Sequence, residues 1–235
     1  MKLYGCGNPG FSYTDNFLNN ITSFYEWVQN NKTKNLTYQE LQKAIESSNL
    51  SMDESRIRMI VPFMVKTGLV YALPKRNLTL DLNNFFTKEG ACFLSFLMVY
   101  MKIKETGNGI LITKASSMFK YFGLLQFYNL YLSEERIYKE LIHFLLKYKH
   151  IDKVEFFILT TTLKDENIDL DSLINKYRNG QIRESDCEFV DNINCFTYIS
   201  SMLTYLGVLK KTSKTYSLNE EFIKFYREIL IEEAK

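Results

Sequence analysis

Residues 36–82 carry two helix-start signals in close succession, and these constrain the fold more than any other feature of the chain. Thr37-Tyr38-Gln39-Glu40 has the form of a capping box, in which hydroxyl and carboxylate satisfy each other's orphan backbone donors. Ser51-Met52-Asp53-Glu54 repeats the pattern. Two boxes separated by a short polar link predict two short helices that pack as neighbours.

The apolar spacing agrees with the caps. Leu41, Ala44 and Ile45 share one face of the first helix, and Ile57, Ile60, Val61 and Met64 recur at i, i+3, i+4 and i+7 in the second. Thr67-Gly68 ends that helix, because glycine accepts the left-handed conformation that closes helices. Residues 69–73 and 78–82 then read as strands joined by the turn Pro74-Lys75-Arg76-Asn77. A further helix, over residues 15–30 with Phe17, Ile21, Phe24 and Val28 inward, precedes the pair. This stretch of helix, turn, helix and two-stranded wing resembles the winged-helix superfamily.

The same order returns near the C-terminus. A helix from Asp186 through Leu206 leads to Gly207, a strand over 208–211, the turn Thr212-Ser213-Lys214, a strand over 215–218 and a helix opened by Asn219 and reaching about Glu233. Between the two patterns, residues 83–105, 114–130, 133–148, 152–163 and 170–179 read as helices, with a short strand over 110–112. Gly107-Asn108-Gly109 is the clearest break. The reading is therefore a mainly α chain with small β-wings, in which two winged-helix modules bracket a helical middle region. Its divisions are 1–106, 107–180 and 181–235.

Composition narrows the class of function. At 46% hydrophobic and 24% charged the chain is close to the globular norm, so a disordered chain is not expected. The balance of 29 basic and 27 acidic residues excludes a strongly electrostatic binder, so any nucleic-acid contact must be local. Four cysteines without paired metal-ligand spacing predict free thiols, no metal site and a reducing compartment. No signal peptide is legible in residues 1–10, and the apolar run 91–101 is about half a membrane span, so a cytoplasmic protein with no membrane partner is expected. GCGNPG at residues 5–10 lacks the strand and Lys-Ser/Thr of a phosphate loop. No cofactor is expected.

Two sets of side chains are candidates for contact with duplex DNA. On the first module Arg56, Arg58 and Lys66 lie on or beside the outward face of its last helix, with Lys75 and Arg76 at the wing tip. The second module offers Thr197 and Ser201 on its helix, and Lys210, Lys211 and Lys214 on its wing. Met59, Pro62 and Phe63 make the outward face of the first module's last helix half apolar, so Met59 and Phe63 define an alternative protein-docking surface or homodimer contact. Pro62 also removes a helix hydrogen bond and predicts a kink. An acidic excess over residues 152–191 would repel phosphate beside the second module. His143 and His150 read as structural. Neither Asp152-Lys153-Val154-Glu155 nor Glu221-Phe222-Ile223-Lys224 has the acid pattern that holds Mg²⁺ in nucleases, so catalysis has no support in the sequence.

The run Arg56-Ile57-Arg58-Met59-Ile60-Val61-Pro62 into Thr67-Gly68-Leu69-Val70, followed by Phe86-Thr87-Lys88-Glu89-Gly90, is similar to the DNA-recognition portions of type II restriction endonucleases. That resemblance implies DNA contacts at Arg56, Arg58, Lys75 and Arg76 and a recognition or regulatory component of a restriction or phage-related system. The expected function is non-enzymatic reading of duplex DNA. The alternative is a winged-helix interaction module, and a nuclease with an unrecognised site is a remote third.

Overall fold

The structure is a computed structural model that describes residues 1–7, 11–48, 50, 52–74 and 77–226. In chain order its elements are β1 (Lys2–Tyr4), α1 (Asp15–Asn30), β2 (Leu36–Thr37), α2 (Tyr38–Glu46), α3 (Glu54–Lys66), β3 (Thr79–Leu80), α4 (Lys88–Glu105) and α5 (Gly109–Leu132). They continue with α6 (Arg136–Tyr148), α7 (Lys153–Lys164), α8 (Leu170–Arg178), β4 (Glu188–Val190), α9 (Cys195–Tyr205), β5 (Leu209–Thr212), β6 (Thr215–Leu218) and α10 (Glu220–Phe225). The class is mainly α with small sheets, as expected. None of the described helices is long and apolar enough to cross a membrane.

Two compact units divide the chain: Tyr13–Leu130, and Met1–Ser12 together with Tyr131–Lys235. These divisions differ from those expected at 106/107 and 180/181.

In the first unit, Thr14 caps α1 by accepting the Phe17 N–H at 3.2 Å, and Phe17, Ile21, Phe24 and Val28 are buried. The Thr37–Glu40 capping box starts α2. Helix α3 begins two residues later than the second box implied, capped by Asp53, which accepts the Arg56 N–H at 2.8 Å. Ser51 lies outside the described residues. The helix runs through Pro62 to Lys66, and Gly68 closes it at φ 75°.

The expected hairpin of residues 69–73 with 78–82 does not form. Val70 bridges Phe86 instead, with Tyr71 N–H donating to Phe85 O at 3.2 Å and Thr87 N–H to Leu69 O at 3.1 Å. β3 pairs antiparallel with β2. The cause is aromatic burial. Asp81 caps a 3₁₀ turn at Leu82–Asn84 that brings Phe85 and Phe86 back under α1, where their rings lie 5.9 and 6.1 Å from that of Phe24. Burying two such rings outweighs the few hydrogen bonds of a short exposed hairpin.

Helix α4 starts at Lys88, capped by Thr87, rather than at Asn83. No strand occupies residues 110–112, which belong to α5. Gly107, at φ 67°, ends α4, and Asn108 accepts the Leu111 N–H at 3.2 Å to start α5. Phe93 and Tyr100 on α4 then meet Phe119 on α5 at ring distances of 5.7 and 5.4 Å. The glycine-rich break is therefore a tight turn inside one unit.

In the second unit, residues 2–4 supply β1, which pairs in parallel with β4 in the register Lys2↔Glu188 to Tyr4↔Val190. Helix α6 leads to Ile151, which bridges Tyr216 of β6 through hydrogen bonds of 2.9 and 2.8 Å. A capping box, Asp152 with Glu155, opens α7. After α8 and β4 come α9 and the β5–β6 hairpin, registered Leu209↔Leu218 through Thr212↔Thr215. The helix expected from Asp186 begins only at Cys195, because residues 188–190 are held as strand. Asn219 caps α10 as expected, and the remainder of that helix call, beyond residue 226, lies outside the described residues.

Both units contain a helix, an extended segment, a capped helix and a further helix, with the extended segment paired to a later strand: β2 with β3 in the first unit, and Ile151 with Tyr216 of β6 in the second, which β1 precedes. In the second unit α8 and β4 are inserted before α9.

Candidate nucleic-acid interface

Helix α9 buries Cys195, Ile199, Ser200, Met202 and Leu203 and leaves Thr197 and Tyr198 exposed, with Ser201 and Thr204 half-buried. Phe196 is held inward at its edge, 5.3 Å from the Phe156 ring and 5.4 Å from Tyr216. The outward face is therefore hydroxyl-bearing and uncharged, as the spacing implied.

The start of α9 is fixed by the N-terminal segment. Gly5 N–H donates to Val190 O at 2.9 Å, and Asn192 Nδ2 donates to the carbonyls of Cys6 and Gly7 at 2.8 and 3.1 Å. A Cβ on Gly5 would lie 2.2 Å from Asp191 O, so only glycine permits this approach. Cys195, the first residue of α9, accepts a hydrogen bond from the Cys6 thiol, which holds the Cys195 thiol below the ordinary range and, together with burial, pushes Cys6 up. Sequence reasoning missed this clamp, because its partners lie at opposite ends of the chain.

Beside α9 stands the hairpin. Leu209 and Leu218 anchor its base in the core, and Ser213, at φ 58°, makes the two-residue turn. Lys210, Lys211 and Lys214 are all exposed. Lys211 Nζ sits 5.8 Å over the Tyr216 ring, a contact that orients the cation without neutralising it. Among the described residues none of the three has a carboxylate partner within ion-pair distance.

The acidic segment is largely engaged within its own unit. Asp191 pairs with Lys164 at 3.1 Å and Asp171 with Lys147 at 2.6 Å, Glu166 pairs with Arg136 at 2.8 Å, and Asp186 accepts the Arg183 N–H at 2.9 Å. Glu155, 2% exposed, accepts from Arg178 Nε at 2.5 Å and from the Asp152 N–H at 3.0 Å. Lys164 thus offsets the Asp191 charge beside α9, whereas Asp186, held by a backbone N–H, keeps its own.

On α3 of the first unit Arg56 and Arg58 are exposed and Lys66 is half-buried. The Tyr38 hydroxyl donates to Ile57 O at 3.1 Å, and burial pushes that phenol up to about 12 although Arg58 opposes the shift. Lys75 and Arg76 lie outside the described residues. Met59 is 48% exposed, but Phe63, expected outward, is 1% exposed. The buried stripe of α3 is broader than its heptad-like core implied, because the Tyr13 ring meets Phe63 edge-on at 6.3 Å. The docking face proposed from Met59 and Phe63 together is therefore not present.

His143 and His150 are both exposed, so neither is a core residue. All four cysteines are free thiols. Among the described residues no three His, Cys, Asp or Glu side chains converge as metal ligands. No protein-family model matches the chain, no curated protein matches its sequence, and no solved structure matches its fold.

Proposed function

We propose that the chain is a winged-helix protein that reads duplex DNA, with α9 and the β5–β6 hairpin as its principal contact. The observation that carries this reading is the pairing of an exposed three-lysine hairpin with an adjacent helix face of uncharged hydrogen-bonding groups. Lysines positioned this way grip phosphate, while Thr197, Tyr198 and Ser201 are suited to base edges and sugar. Arg56 and Arg58 on α3 are a second contact of the same kind. The restriction or phage-related setting is the finer part of the proposal and rests on the sequence resemblance.

Fluorescence anisotropy with a labelled duplex tests it. Lys210→Glu with Lys214→Glu abolishes binding in this account, and Arg56→Glu with Arg58→Glu weakens it less. Equal affinity of the hairpin variant and the native chain would overturn the assignment.

A further inference from the structure

Helix α5 is apolar on two opposite sides, and its own unit covers only one of them. Ala115, Phe119, Gly123, Gln126, Phe127 and Leu130 are buried. On the other side Leu111, Lys114, Met118, Tyr121, Leu125 and Tyr128 follow one another at alternating spacings of three and four, the a/d pattern of a coiled-coil seam. Leu111, Met118, Tyr121 and Leu125 are 45, 53, 72 and 55% exposed, and neighbouring Ile110 is 72% exposed.

We propose that this seam is a homodimer interface, in which α5 of one copy packs antiparallel on α5 of a second. The area is sufficient. At roughly 200 Å² for each large side chain, the five exposed apolar residues offer on the order of 600 Å² per copy. A pair then buries roughly 1,200 Å², the lower bound of a specific interface. A patch of this extent is at the limit of what a monomer leaves in water.

Charge selects the orientation. Helix α5 contains no carboxylate, so a parallel in-register pair would set Lys114 against Lys114. An antiparallel pair centred between Met118 and Tyr121 matches each a position with a d position of the other copy. Met118 faces Tyr121, Leu111 faces Tyr128, and Lys114 lands beside Leu125. Leu125 and Tyr128 border a groove of about 350 Å³ that Glu89 also lines, so the lysine stem lies along apolar surface and its ammonium meets a carboxylate. The two Lys114 residues are then roughly 16 Å apart along the axis, beyond about 8 Å of screening length.

Sedimentation of the full chain over a concentration series is the test, with circular dichroism confirming that each variant keeps its helix content. The native chain is expected to be a dimer at micromolar concentration. Tyr121→Glu, which aims a charge at Met118, weakens association by about a hundredfold. Lys114→Glu weakens it by about fivefold, and adding Glu89→Lys to Lys114→Glu restores it. A monomeric native chain would overturn the proposal and leave the face to a different partner, as would a dimer indifferent to Tyr121→Glu. A dimer broken by Tyr121→Glu but not restored by the charge swap would overturn the antiparallel register.

Discussion

Replacing Gly90 by alanine sets two effects against each other, and their sizes decide the outcome. In an ordinary helix Gly→Ala gains about 1 kcal/mol from propensity. Here the new Cβ would stand 2.0 Å from the Leu69 carbonyl oxygen, 2.6 Å from its carbon and 2.7 Å from its Cα. The obstacle is backbone, so no rotamer change relieves it. Moving residues 68–70 away breaks the Thr87 N–H bond to Leu69 O, the Thr87 hydroxyl bond to Gly68 O and the Tyr71 bond to Phe85 O, at 3.1, 2.6 and 3.2 Å. Three such bonds contribute about 1 kcal/mol each, and overpacking adds roughly 1–3 kcal/mol. The net expectation is a loss of about 3–5 kcal/mol, equivalent to a Tm fall on the order of 10 °C or more. The only tryptophan, Trp27, lies in α1 of the same unit, so urea unfolding followed by its fluorescence reports on this unit. Gly109→Ala, with nothing within 4 Å to oppose the propensity gain, is the control and leaves stability unchanged or raised by up to about 1 kcal/mol. A Gly90→Ala midpoint equal to or above the native one would refute the packing argument.

Three further outcomes are expected. Arg178→Ala leaves the buried Glu155 carboxylate without its cation and costs about 3 kcal/mol, the low end for a broken buried pair because the Arg178 side chain is 29% exposed. Calorimetry should show this loss, and Glu155→Gln added to Arg178→Ala should recover part of it. Asp171 is held below the ordinary carboxylate range by hydrogen bonds from Lys147 and Tyr148. Its contribution to stability is complete above the unfolded-state pKa and lost as pH falls through the lowered value, so the Tm gap between native and Asp171→Asn should close on acidification and not on alkalinisation. Converting Lys210, Lys211 and Lys214 to Gln should reduce the slope of log affinity against log salt by about 2.7, since each phosphate contact contributes about 0.9. An unchanged slope in anisotropy titrations would place the phosphate contacts elsewhere.

Local signals carried much of this fold into the sequence. The Thr37–Glu40 box, the Ile57 to Met64 stripe, Gly68 and the Lys210–Lys214 turn all act over a few residues, and each is found where the spacing placed it. What escaped was long-range. β1 pairs with β4 across nearly the whole chain, and no periodicity in residues 2–4 signals a partner at 188–190. Likewise Phe85 and Phe86 read as the start of a helix, although their burial against α1 decides the path of residues 69–87. The return of the helix, hairpin and Asn-led helix was legible, but the reach of the second pattern back to α6 was hidden by the inserted α8 and β4. One signal could have exposed it: Asp152–Glu155 follows the bridging Ile151 as Thr37–Glu40 follows Leu36. Of the candidate site, exposed lysines and hydroxyls were readable from spacing. Phe63 was not, because its burial depends on Tyr13.

The central claim is that this chain reads duplex DNA. The most direct measurement is retention of a random duplex pool by the purified chain across a salt series, with sequencing of what is bound. The account predicts recovery of a defined motif and affinity that falls steeply as salt rises. No retention at low salt would contradict it.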